Sequence, residues 1–284
     1  MVSIALVNQK GGVSKTASTA NLAAIYAGKY HKKVLAVDCD AQANLTFYLA
    51  GETAENHQFT EALLNRLDPE TQEVKKGKDE EEQQMLDRFD DLKQCMIPIS
   101  YKWKGKDVNL PLSLIPASSK LDYITNADIN LLNNFLDSVS NEYDICLIDC
   151  GPERMPYNML AIAAADYIIV PMDPMLVNIH GLDLINTFVS SINNMAHTNV
   201  SIMGAFLTMV DSRRVIDQQV SAQLYSNYGN LMFKSTIRYA TALKESYNLA
   251  TPLYFYERSQ NVCEDYINLA VEIMKKLREK GEKI

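Results

Sequence analysis

The chain has 284 residues, 47% of them hydrophobic, and a formal net charge of −8. That length supports one large domain or two small ones around a substantial core, and the acidic balance disfavours a surface coated in positive potential without excluding a local basic stripe. No low-complexity run divides the sequence, no basic leader precedes the first apolar run, and no stretch approaches the ~18 apolar residues of a membrane span, so a cytoplasmic protein is expected.

The first element is the apolar run Ile4-Ala5-Leu6-Val7, a strand. It leads into Lys10-Gly11-Gly12-Val13-Ser14-Lys15-Thr16, and a helical stretch follows from Thr16 to Tyr26. A glycine-rich turn between strand and helix lets backbone N–H groups and a helix N-terminus converge on phosphate oxygens. Gly11 and Gly12 supply the turn. Lys15 is expected at the β/γ-phosphates, and the Thr16 hydroxyl on a magnesium ion. Lys10 stands at the loop entrance and points away from its own phosphates, so its natural target is a phosphate in a second, facing subunit.

Val34-Leu35-Ala36-Val37 reads as a buried strand that opens into Asp38-Cys39-Asp40-Ala41-Gln42-Ala43-Asn44. Residues 70–93 form a charged surface excursion, with Met85, Leu86, Phe89 and Leu92 at the spacing of one amphipathic helix. A third strand, Ile145-Cys146-Leu147-Ile148, ends in Asp149. Carboxylates at the C-terminal ends of parallel strands face the ligand crevice of an open α/β sheet. Tyr167 to Pro171 is a further buried strand, and the helix after it places Leu182, Ile185, Val189 and Ile192 on one core-facing stripe. Ile202 to Thr208 is a strand, and a last helix from about Val262 presents Tyr266, Leu269, Ile273 and Leu277 to the sheet. Alternating strands and helices imply a parallel sheet covered on both faces, in a single domain spanning residues 1–284. Five cysteines at 39, 95, 146, 150 and 263 form no C-x-x-C pair, which argues against a cysteine-held metal centre such as an iron–sulfur cluster.

The loop with its lysine before two glycines, the acidic second motif and Asp149 resemble the ParA/Soj/MinD group of P-loop ATPases, and the Soj-type ParA partitioning ATPases in particular. The likeness extends over Val34 to Thr46, Ser113 to Ala117, Tyr143 to Pro152, Ala165 to Gly181 and Gly204 to Arg213. It implies a P-loop NTPase fold, slow ATP hydrolysis with Mg2+, and an ATP-dependent sandwich homodimer. It also implies non-specific DNA binding by that dimer, nucleoid association, and release by a ParB-like centromere-binding protein. Lys10, Lys15 and Asp40 are then the catalytic residues, with Asp40 orienting the attacking water. Thr16, Asp38 and Asp149 surround the metal. The nucleotide contacts run from Lys10 through Ala17, and Thr208, Met209 and Asp211 lie at the adenine end. Arg213, Arg214, Arg238 and Lys244 are the candidates for DNA contact.

Three departures from the group stand out. Ser14 replaces the third loop glycine, which is tolerable if that position needs no positive φ, and the expectation is that it does not. Ala17 replaces a second threonine, removing a side-chain contact to the α-phosphate. Ile237-Arg238-Tyr239-Ala240 carries tyrosine where the group has arginine. No helix-turn-helix extension precedes the loop, as in the shorter partitioning ATPases. Alternatives from other classes are a MinD-like membrane-surface positioning ATPase, a tyrosine kinase on the same loop, and a nucleotide-binding scaffold with impaired hydrolysis. The buried stripe of the last helix and the absence of a separate membrane helix disfavour stable membrane association.

Overall fold

The computed structural model describes residues 1–52, 58–68, 70, 71, 73–78, 80, 83, 89–125, 128–152, 155–175 and 181–284. The strands are β1 (Val2–Leu6), β2 (Val34–Cys39), β3 (Ile97–Trp103), β4 (Lys106–Ile115), β5 (Ile145–Cys150), β6 (Tyr167–Met172) and β7 (Ser201–Leu207). They form one sheet in the order β3-β4-β2-β5-β1-β6-β7. Every neighbouring pair is parallel except β3 with β4, an antiparallel pair at one edge.

The helices are α1 (Lys15–Gly28), α2 (Asn44–Ala50), α3 (Phe59–Asn65), α4 (Asp90–Gln94), α5 (Leu131–Val139), α6 (Pro156–Ala163), α7 (Gly181–Ala196), α8 (Val215–Tyr228), α9 (Thr241–Asn248), α10 (Leu253–Tyr256) and α11 (Asn261–Glu279). Two apolar clusters divide the core by the period-two geometry of the strands. Ala5, Leu35, Val37 and Ile148 face α5, α6 and α7, whereas Ile4, Ala36 and Leu147 face α1 and α11. Buried strand residues alternate between two helix layers, so the strands read as unbroken apolar runs.

The two periodic helices lie where their spacing requires. Leu182, Ile185, Val189 and Ile192 of α7 are buried, as are Tyr266, Leu269, Ile273 and Leu277 of α11. The α11 stripe packs against α1, the helix that follows the glycine loop. Among the described residues no helix is long and apolar enough to cross a membrane.

The excursion at 70–93 is not wholly a surface feature. Phe89 and Leu92 are buried in the same cluster as Phe135, and Phe89 meets that ring edge-on at 5.7 Å between centroids. The Arg66 guanidinium lies 4.4 Å over the Phe89 ring and forms an ion pair with Asp91. Met85 and Leu86 lie outside the described residues.

Strand order decides where a ligand can enter. β1 and β5 are neighbours, yet the chain leaves β1 for α1 on one face and β5 for α6 on the other. Opposite departures open a crevice at the carboxyl ends of these two strands.

Candidate functional site

The loop between β1 and α1 is held by its own side chains. Asn8 donates through Nδ2 to the Pro171 carbonyl at 2.8 Å and accepts from the Lys10 N–H through Oδ1 at 2.9 Å. Gly12 has φ +75, the left-handed conformation that favours glycine. Ser14 has φ 61, so the expectation that this position avoids positive φ is incorrect. The Ser14 carbonyl begins the helix by accepting from Ser18 N–H at 2.9 Å, from a residue in the left-handed conformation. Ser14 makes no side-chain cap, and the first turn of α1 carries no acidic residue. Its leading N–H groups therefore remain available to an anion.

Lys15 curls back under the loop. Its ammonium donates to the carbonyls of Asn8 at 3.0 Å and Lys10 at 3.1 Å. Burial lowers its pKa, while the carboxylates of Asp149 and Asp40 act in the opposite direction.

Parallel register brings two of the acidic residues side by side, because Asp38 on β2 is the partner of Asp149 on β5. Asp38 is buried and serves as an acceptor for its own loop. Thr46 donates to it from N–H at 2.8 Å and from the hydroxyl at 2.7 Å, and Asp40 N–H donates at 3.1 Å. Burial pushes Asp38 up to about 6 despite these donors. Asp149 is fully buried, and its Oδ2 has no hydrogen-bond partner. Burial and the Asp38 charge raise its pKa well above the carboxylate range, opposed by the Thr16 hydroxyl and by Lys15. An unpartnered carboxylate oxygen at full burial is costly unless a cation or water meets it. The Thr16 hydroxyl and the Asp149 carboxyl are adjacent oxygen donors of the kind that suits magnesium, while both oxygens of the neighbouring Asp38 accept from Thr46 and Asp40.

Asp40 projects from the end of β2 toward Gly151. A Cβ on Gly151 would lie 3.4 Å from the Asp40 Cγ, an ordinary contact distance that places the ends of the β2 and β5 loops side by side. Asp40 lines a cavity of about 660 Å³ above the loop, together with Gly11, Gly12, Lys15 and Thr16. Ser14 and Ala17 share that floor, and Leu243, Lys244 and Tyr247 of α9 form a wall.

The remaining expected residues are arranged differently. Lys10 forms an ion pair with Asp173 of its own chain at 2.6 Å. Met209 and Asp211 line a second cavity, of about 630 Å³, with Asp173, Met175 and Tyr239. Thr208 is fully buried with its hydroxyl unpartnered. Arg213 grips Asp211 with two hydrogen bonds of 2.9 Å, which holds that carboxyl down to about 2. Arg214 reaches the same carboxylate at 3.6 Å. Arg238 pairs with both oxygens of Asp265 at 2.7 Å. Lys244 lines the loop cavity, apart from these arginines.

Asn8, Thr46 and Asp173 were not singled out in the sequence. Asp173 had a readable signal, an acid just past a buried strand, like Asp38 and Asp149. Thr46 had none, since its bond to Asp38 depends on how α2 docks.

A parallel sheet of this order, with the glycine loop and acidic strand ends at one edge of its crevice, has the fold of a P-loop NTPase. A family model for the AAA domain matches residues 1–202, and the chain belongs to that family. Within it the chain is of the ParA/Soj type. It is 28% identical over 270 residues to the sporulation initiation inhibitor protein Soj of Bacillus subtilis, covering 95% of this chain and 97% of that protein. It is also 28% identical to the chromosome partitioning protein ParA of Myxococcus xanthus, over 96% of this chain and 88% of the relative. Among solved structures, cobyrinic acid a,c-diamide synthase from Mycobacterium smegmatis, with bound ATP analogue and magnesium, superimposes with a TM-score of 0.72. Identity there is 20%, covering 100% of this chain and 98% of that one.

Proposed function

We propose that this ParA-family protein is a magnesium-dependent partitioning ATPase whose ATP-bound homodimer binds DNA without sequence preference and is released when a ParB-like partner stimulates hydrolysis. The observation that carries the reading is that the open N-terminus of α1 and Lys15 line one cavity, with the buried Asp149, one oxygen of which is partnerless, lying beneath them against Thr16 and Lys15. Relatives named for chromosome partitioning support the biological role.

Phosphoryl transfer to water asks for in-line positioning and compensation of charge on the phosphate oxygens. The leading N–H groups of α1 and Lys15 bind the phosphates. Asp40 holds and orients the attacking water from the cavity wall. Thr16, Asp38 and Asp149 would hold magnesium, which when bound would supply further compensation of the phosphate charge. Lys10, delivered from each subunit to the other, ties turnover to dimer formation. Thr208, Met209 and Asp211 lie toward the base.

DNA binding draws on Arg213, Arg214 and Arg238, each paired with a carboxylate of its own chain. Phosphate must compete with those carboxylates, so binding is expected to be weak and steeply dependent on salt.

The test is light scattering of wild type and Asp40→Ala with ADP or with ATP and magnesium, followed by duplex DNA binding of the same samples. An ATP-specific dimer that alone binds DNA is expected. A protein that remains monomeric with ATP bound, or binds DNA equally with ADP and ATP, overturns the reading.

A further inference from the structure

We propose that Lys244 is a phosphate ligand of the nucleotide site, supplied by α9 of the same chain; the proposal rests on the nucleotide reading above. Lys244 lies on the wall of the roughly 660 Å³ cavity whose floor is Gly11, Gly12 and Thr16. Lys15 is the other lysine of that lining, and it is buried under the loop. Lys10 is absent from the lining and is paired with Asp173.

Lys244 is exposed and forms no ion pair with any described residue. Its neighbour Glu245 is turned away, accepting from the Tyr256 hydroxyl at 3.2 Å. Asp40 is the carboxylate on the same cavity wall.

The helix that carries Lys244 is clamped in place. The Tyr247 hydroxyl donates to Asn44 Oδ1 at 2.9 Å, and Ser246 shares a 2.6 Å hydrogen bond with Tyr48. The Tyr247 ring also packs against Phe47 and Tyr48. Both partners belong to α2, which begins where the Asp38–Asp40 loop ends, so these contacts fix α9 relative to the site. A long ammonium chain on a fixed helix keeps its conformational freedom until a ligand arrives, and a polyanion in the cavity is the complementary partner.

The same cavity lacks a donor at Ala17, whose methyl cannot bond to phosphate. Lys244 offers a side-chain charge to the same space from the cavity wall.

The experiment is an equilibrium titration of wild type, Lys244→Met and Lys244→Arg with a fluorescent ATP analogue and magnesium, at low and high salt. Methionine keeps the length of the side chain without its charge. Loss of a charge-assisted phosphate contact is expected to weaken Lys244→Met about tenfold at low salt, less at high salt, with arginine restoring most of the affinity. Equal affinity of Lys244→Met and wild type overturns the proposal. So does a methionine variant that binds the ATP analogue normally but loses DNA binding, since that assigns the charge to DNA. Failure of wild type to bind the analogue at all is a different result, which defeats the nucleotide reading itself.

Discussion

Lys10 and Asp173 form an ion pair of 2.6 Å within one chain, joining the entrance of the glycine loop to the end of β6. The Met175 sulfur also approaches the Lys10 ammonium, at 2.9 Å. To reach a phosphate in a facing subunit, the lysine must first leave this carboxylate.

Asp173→Asn is therefore expected to lower the cost of dimer formation. The half-maximal ATP concentration for dimerisation should fall about two- to fivefold, the scale of a partly exposed ion pair. Light scattering across an ATP titration checks this. A higher ATP requirement in the variant would mean that Asp173 supports Lys10 in the dimer rather than retaining it.

Lys15→Ala removes the ammonium that links Asn8 and Lys10 to the expected phosphate position. Single-turnover hydrolysis should fall by about two orders of magnitude or more, as with loss of a preorganised charge at a developing phosphate charge. Asp40→Ala should retain ATP binding while slowing turnover, so binding and hydrolysis assays together separate the two residues.

Ser14 occupies φ 61 without a capping hydrogen bond. Ser14→Gly is expected to stabilise the protein by about 0.5–1 kcal/mol, because the left-handed strain relieved exceeds the added freedom of the unfolded chain. Ser14→Val should destabilise it, since a β-branched side chain suits that backbone poorly. Denaturant titrations of the two variants give the comparison.

Burial pushes the Asp38 carboxyl up to about 6 in the folded protein, against an ordinary value of 3.8. Between these values the folded state keeps a proton that the unfolded chain has released, so this group makes stability fall as pH rises, and the loss finishes about one unit above the folded value. Asp38→Ala should remove about 1 kcal/mol of the decline between about pH 5 and pH 7, measured without nucleotide or magnesium. An unchanged pH difference would show that Asp38 is ionised throughout.

The sequence by itself determined β1, β2, β5, β6 and β7 and the chemistry at their ends, whereas the antiparallel edge pair β3 and β4 was not read from it. Val34–Cys39 and Ile145–Cys150 are apolar runs that end in acids, and the glycines between Lys10 and Lys15 dictate a turn, so local composition was sufficient. The stripes of α7 and α11 were legible because one helical period sorts core from surface. Tertiary structure decided which of these ends meet. Register sets Asp38 beside Asp149, strand order puts β5 between β1 and β2, and burial leaves one Asp149 oxygen without a partner. The Lys10–Asp173 pair spans 163 residues, and Lys244 reaches the loop cavity through the docking of α9 on α2. Such contacts arise from packing between segments distant in sequence, and no local pattern encodes them. The left-handed turn at Ser14 was likewise not legible locally, because it runs against the preference of the residue that adopts it.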